Sequence, residues 1–403
     1  MRRKLGWFAA AAAAVLSLLV VAVTAQGPPL TPQAGLGKAI FFDKNLSVNG
    51  NQSCATCHGK AAGWTGPDSA INAHGSVYEG SIPGAFGDRK PPTVAYATQS
   101  PVLHFDEAEQ VWQGGHFWDG RATGWRLGSP AAEQAQGPFL NPKEQALPSP
   151  ADVVDLVCTA SYSSLFMDVC GAAACSGDLG SLSAAYDCIG FSVAAYEASP
   201  EVNAFSSKFD ANQKGKDKLK GDEKRGYELF VGKGNCSRCH PAEGSQPLFT
   251  DYTYDNLGLP KNPENPVYGD NPAFVDPGLG GFLKSSGYSE PIWTAAYGKH
   301  KVPTTRNVAK GIPAIAKAFG HNGYFKSLEG IVHFYNTRDV KPPCSGDYTE
   351  AQALAANCWP LPEAPANVNR TELGNLGLTP KDEAAIVAFL KTLSDGYVPG
   401  KVK

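Results

Sequence analysis

The sequence predicts a loop-rich, mostly helical chain divided into two domains, and three observations carry that expectation. A chain of 403 residues exceeds what one small core organises. One five-residue motif occurs twice, starting at Cys54 and at Cys236, 182 residues apart, which gives each copy a domain of its own. Gly (44) and Pro (31) are too abundant for long uninterrupted elements and imply irregular loops between fairly short helices. No internal repeat is visible beyond that motif.

The first 25 residues read as an export signal. Arg2, Arg3 and Lys4 form a basic start, an apolar run extends from Trp7 to Val23, and Val23-Thr24-Ala25 offers small residues for cleavage after Ala25. The competing reading is an uncleaved membrane anchor. Both place the working chain outside the cytoplasm, in the periplasm. Residues 26–205 and 206–403 then form the two domains. The boundary falls near Phe205–Lys220, where Lys208, Lys214, Lys216, Lys218 and Lys220 suggest a solvated linker into a helix over Glu223–Val231. Charged residues make up 18 % of the chain and the net charge is -3, which gives no reason to expect nucleic acid as a partner.

Ten cysteines are present. Six lie outside the motif: Cys158, Cys170, Cys175, Cys188, Cys344 and Cys358. An even remainder in an exported chain predicts three disulfides. Cys344 and Cys358 are isolated together and should pair. The other four should pair among themselves, with partners left open.

The motif itself is Cys54-Ala55-Thr56-Cys57-His58 and Cys236-Ser237-Arg238-Cys239-His240. Two thiols three residues apart on a helical turn can each add to one vinyl group of a haem, and the next imidazole becomes the proximal ligand. A zinc site would not need a His directly after each Cys pair. A thioredoxin-like pair would need a βαβ context, which is absent. Two such motifs in one exported chain predict two covalently bound haem c groups, with His58 and His240 on the irons.

At these residues the chain resembles the bacterial dihaem cytochrome c peroxidases and, most closely, their MauG-like branch. The likeness spans roughly Leu36–Leu393. It rests on Leu36-Gly37-Lys38, Phe41-Phe42-Asp43, Leu46-Ser47, Phe117-Trp118-Asp119-Gly120-Arg121-Ala122, Asn141-Pro142-Lys143-Glu144, Val302-Pro303-Thr304, Arg306-Asn307-Val308-Ala309 and His321-Asn322-Gly323. The resemblance implies two cytochrome c-like haem domains packed at a shared interface. It implies that hydrogen peroxide reacts at the N-terminal haem and that electrons pass through the C-terminal one.

The resemblance also assigns residues. Glu144 becomes the acid–base group over the open face of the first haem, because cleaving a bound peroxide requires moving a proton from its inner to its outer oxygen. Gln134 becomes the amide that orients the bound peroxide. Trp118 becomes the electronic bridge between the haems. Arg121 and His321 become propionate or backbone anchors. His74 is either a removable ligand of the first iron or an exposed loop histidine. The sixth ligand of the second haem falls at Tyr335, where the MauG-like branch carries tyrosine. His333 competes but faces another way on a helix. The only methionine after the signal segment, Met167, lies in the wrong domain for conventional methionine ligation.

Two features depart from the family pattern. About six extra residues lie around Gly124–Pro130, which puts the local loop, but not the spacing from Gln134 to Glu144, in doubt. Relatives often hold a structural Ca²⁺ between the haems through an asparagine after an arginine. Here Lys90 follows Arg89, so either Ca²⁺ binds by other ligands or the ammonium takes its place. The leading functional expectation is a peroxide-using oxidoreductase served by a protein electron donor or acting on a protein substrate. A plain dihaem electron carrier is the alternative, and Glu144 with Gln134 argues against it.

Overall fold

The computed structural model describes residues 28–400. The expected signal segment lies outside the described residues. Among those described, no single helix is long and apolar enough to cross a membrane.

The first half contributes α1 (Pro32–Phe42), α2 (Cys54–Cys57), α3 (Ser69–Ala73), α4 (Pro130–Leu140), α5 (Pro150–Thr159), α6 (Ser163–Cys170) and α7 (Leu179–Glu197). The second contributes α8 (Lys208–Gln213), α9 (Asp222–Val231), α10 (Val267–Asp270), α11 (Gly278–Ser285), α12 (Glu290–Ala295), α13 (Leu328–Thr337), α14 (Glu350–Ala355) and α15 (Pro380–Lys391). Several start on the same local signal. Ser129, Ser149 and Thr379 cap α4, α5 and α15 with their hydroxyls, and a proline follows each as the first helical residue. Among the described residues, strands are confined to two short antiparallel pairs, β1 (His104–Asp106) with β2 (Val111–Gln113) and β3 (Tyr254–Asp255) with β4 (His300–Lys301).

Each half is built on one helix crossing. In the first, α1 lies across α7. Gly37 is the point of contact, since a Cβ there would stand 1.8 Å from the Ser192 carbonyl oxygen. In the second, α9 lies across α15, and a Cβ on Gly226 would stand 1.9 Å from the Ala385 carbonyl oxygen. The crossings close two apolar cores. One draws on Leu36, Phe41, Phe139, Ile189 and Tyr196, the other on Phe209, Phe230, Phe249, Phe334 and Phe389.

A third, smaller cluster of Leu103, Tyr254, Leu279, Leu283 and Ala296 ties the 101–128 segment to the second half. Two buried arginines join the halves more directly. Arg89 grips Asp119 at 2.6 Å and Asp276 at 2.6 Å. Arg306, held by Asp210 of its own half at 3.0 Å, lies over the Tyr96 and Phe205 rings of the first half.

The three disulfides are Cys158–Cys175, Cys170–Cys188 and Cys344–Cys358. The last agrees with the sequence expectation, and the first two settle the pairing left open. The stretch read as a solvated linker differs from expectation. It begins with α8, and Phe209 and Asp210 in that helix are buried. The lysine spacing hid an amphipathic turn whose inner face completes the second core. The extra loop around Gly124–Pro130 is pinned by one carboxylate, since Glu133 accepts the backbone N–H groups of Gly124, Arg126 and Leu127.

Candidate active site

The two Cys-x-x-Cys-His segments adopt matching turns. The backbone N–H of His58 donates to the Cys54 carbonyl at 2.9 Å, and that of His240 donates to the Cys236 carbonyl at 2.9 Å. In the first turn, Ser53 and Thr56 cap each other reciprocally. Each imidazole turns Nδ1 toward a backbone carbonyl, that of Trp64 for His58 (3.3 Å) and that of Phe249 for His240 (2.8 Å). A proton held on Nδ1 leaves the Nε2 lone pair free for a metal. Burial holds both rings in the neutral, ligating form and pushes His58 down to about 4.

Beside the second motif opens a cavity of about 1810 Å³ of empty space, its mouth included, lined by Cys236, Cys239, His240, Tyr335, Ile386 and Leu390. Two thiols, one imidazole with a free Nε2 and mostly apolar walls form a donor set suited to a thioether-linked haem. The Tyr335 hydroxyl has no hydrogen-bond partner among the described residues. Burial, with Cys236 and Cys239 adding to it, raises that phenol above its ordinary range. His333, two residues earlier on α13, points elsewhere. Its Nδ1 contacts Glu383 at 3.0 Å, and its ring lies against Trp359.

The first motif faces the 141–144 turn. Glu144 sits there half-buried, its carboxylate accepting from Asn141 Nδ2 at 2.8 Å. Its backbone carbonyl accepts from Ser81, and the neighbouring Gln145 bonds the Leu46 carbonyl, so the turn is fixed from both sides. Burial raises the Glu144 pKa, while Arg121 and the Asn141 amide pull against it. The same carboxylate acts electrostatically on both Cys54 and Cys57, which places it beside the attachment site. Gln134 lies half-buried on α4, one turn before Gly137, where a Cβ would stand 3.2 Å from the Phe117 ring. Arg121 lies over that ring, 3.7 Å from its centroid, and binds Asp119 at 2.8 Å.

Trp118 is buried between the halves. Its Nε1–H donates to the Lys90 carbonyl at 2.8 Å. Its ring stands edge-on to His321, centroids 6.5 Å apart, and it lines the cavity beside the second motif. His321 stacks on His300 at 3.5 Å, with Asp276 within 3.8 Å. His74 goes elsewhere. Its side chain is 71 % exposed and paired with Glu264 at 2.9 Å, a placement that matches the loop histidine of the two readings left open. The cause is tertiary, since Glu264 arrives from the other half of the chain.

A family model described as di-haem cytochrome c peroxidase matches residues 31–218. The methylamine utilization protein MauG of Paracoccus denitrificans is 35 % identical over 395 residues, covering 95 % of either chain. The chain belongs to the di-haem cytochrome c peroxidase and MauG family. The cytochrome c551 peroxidase of Nitrosomonas europaea is 29 % identical, over 81 % of this chain and 79 % of the relative. The solved diheme peroxidase BthA of Burkholderia thailandensis superposes with a TM-score of 0.76 at 29 % identity, over 92 % of this chain and 87 % of that one. The fold is thus the mostly helical pair of cytochrome c-like domains, the activity class is that of a peroxidase-type oxidoreductase, and the family carries two haems.

This di-haem peroxidase also holds residues that sequence reading missed. Glu197, the last residue of α7, is buried beside Cys54 with no partner for its carboxylate among the described residues. Burial pushes it up to about 8. Lys301 and Lys317 line the cavity beside the second motif, together with the Lys90 that the sequence had singled out. A charged residue inside an apolar helix pattern could have flagged Glu197. Nothing local marks Lys301 or Lys317.

Proposed function

We propose that this di-haem peroxidase binds both haems covalently, through Cys54, Cys57 and His58 and through Cys236, Cys239 and His240, and reduces hydrogen peroxide at the first. The two electrons come from a protein partner by way of the second site, and two protons complete the conversion of H₂O₂ to two waters. When bound, each haem would supply a redox-active iron. The chain supplies the rest. Glu144 moves the proton from the inner to the outer peroxide oxygen, and Gln134 orients the peroxide. Trp118 offers electrons an aromatic bridge between the halves, and Tyr335 would hold the iron of the second haem as a phenolate. The protein works outside the cytoplasm after export.

The observation that carries this reading is the placement of Glu144, a carboxyl raised in pKa by burial and fixed beside the first Cys-x-x-Cys-His turn. A plain electron carrier has no use for such a group. Stopped-flow mixing of the purified holoprotein with H₂O₂ tests it. A rapid absorbance change in the haem bands is expected, and its absence would leave the electron carrier standing. Lys90, the residue after Arg89, is buried with its ammonium on the Thr65 hydroxyl and the Pro91 carbonyl, and the reading includes no Ca²⁺ between the halves. The wild-type rate should survive chelation, and loss of activity restored by Ca²⁺ would sink this point.

A further inference from the structure

Three lysines bury their ammonium groups along one cavity wall without an acid to match them. Lys90 Nζ donates to Thr65 Oγ1 (3.0 Å) and to the Pro91 carbonyl (2.9 Å). Lys301 Nζ donates to Ser100 Oγ (2.9 Å) and to the Gly115 carbonyl. Lys317 Nζ donates to the carbonyls of Ala62 (2.8 Å) and Asn307 (3.1 Å). Every one of these acceptors is neutral.

The acids of the same cavity are engaged elsewhere. Asp276 is clamped by Arg89, Glu363 accepts from the Tyr268 hydroxyl, and Asp255 and Glu372 share Asn369. Burying an ammonium without a counter-charge is costly, and groups so placed drift toward neutrality. Burial alone pushes Lys90 down to about 8 and Lys301 to about 7. Lys317 falls to about 7 by burial, with Lys90 and Lys310 repelling it. Lys90 lies close enough to Lys317 to repel it, Lys301 lines the same cavity, and cations so unmatched suit a cavity that receives anions.

The cavity that these lysines line is also the one that Cys236, Cys239 and His240 open into. A haem fixed there by its vinyl edge carries two carboxylates on its opposite edge. We infer that Lys90, Lys301 and Lys317 are a built-in cation cluster that pairs with the propionates of the second haem. This rests on the dihaem reading above. The cluster spans the chain: Lys90 comes from the first half, Lys301 from β4 and Lys317 from the loop before His321. Haem insertion therefore supplies the counter-charge that closes the seam between the halves. The same fixed positive charge holds the second iron at a higher potential than an uncompensated propionate pair would allow.

The test begins with haem content by the pyridine method. Two haems per chain must be present, and a shortfall would count against the dihaem reading rather than against the lysines. Potentiometric titration of the holoprotein then compares wild type with Lys317→Gln and Lys317→Arg. The Gln variant should retain both haems yet reduce its second haem about tenfold less favourably, a fall of about 59 mV for one electron, while the Arg variant stays near wild type. An unchanged second-haem potential in Lys317→Gln, or a shift confined to the first haem, would overturn the proposal. Wild type alone gives a second reading that needs no variant. With ¹³C-labelled propionates, infrared spectra should show the second haem's carboxylates still ionised below the ordinary carboxyl range of about pH 4. Protonation within that range would overturn the proposal equally.

Discussion

A carboxyl beside a haem-attachment turn serves peroxide chemistry only if it can both hold and release a proton near the working pH. The surroundings of Glu144 act in that direction. Burial favours its acid form, while Arg121 and Asn141 limit the rise. Glu144→Gln keeps the shape and the Asn141 contact but cannot shuttle the proton. Both haems should remain bound with near-normal spectra, and the reaction with H₂O₂ should slow by roughly 10²–10⁴-fold, the usual worth of a positioned acid–base group. A rate within about twofold of wild type would place Glu144 outside the chemistry. Tyr335 is argued from the opposite side. A buried phenol with no protein partner and a raised pKa is poorly served unless something draws off its proton, and a ferric iron does so. Tyr335→Phe should therefore change the low-spin spectrum of the second haem. An unaltered spectrum would assign the ligand to another residue.

Among the elements, the two glycine-centred crossings show what the sequence conceals. The doubled Cys-x-x-Cys-His motif is visible because its chemistry is local, and five residues suffice to read it. The doubled helix crossing is not, although it is the same architectural unit. Gly37 and Gly226 lie 17 and 10 residues before their motifs, and their partners Ser192 and Ala385 lie far downstream. No periodicity announces which glycine faces another backbone. Gly226→Ala puts a methyl group 1.9 Å from the Ala385 carbonyl oxygen, so α9 and α15 must separate. Overpacking of this kind costs about 1–3 kcal/mol. Chemical denaturation should show that loss, with the absorbance of the second haem perturbed before that of the first. A variant as stable as wild type would mean the crossing has slack. The same distinction between local and distant signals explains His74 and the lysines. His74 is fixed by an acid 190 residues away. Lys301 and Lys317 read as ordinary surface lysines until the fold brings them to one wall.

For the molecule as a whole, the join between the halves is held by polar contacts as much as by apolar ones, and Arg306 is its centre. Its side chain is 0 % exposed, its guanidinium forks onto both oxygens of Asp210, and it lies over the rings of Tyr96 and Phe205 from the first half and Phe249 from the second. Asp210 belongs to α8, the segment that the sequence presented as a linker. Burial alone would raise the Asp210 pKa, but the Arg306 contacts and the Ser207 cap outweigh it and hold the carboxyl below its usual range. A depressed folded-state pKa means the pair contributes its full stabilisation above the unfolded value of about 3.9 and loses it as pH falls through the folded value. Asp210→Asn leaves a fully buried guanidinium without its counter-charge, which costs about 3–5 kcal/mol. The penalty should be full at neutral pH. It should shrink as the medium is acidified below the folded pKa, because there the wild-type carboxyl is protonated too. Denaturant unfolding of wild type and variant at neutral and acidic pH measures both quantities. A penalty that is small at neutral pH, or one that does not diminish in acid, would show that the charge on Asp210 is not what fixes Arg306 at the seam.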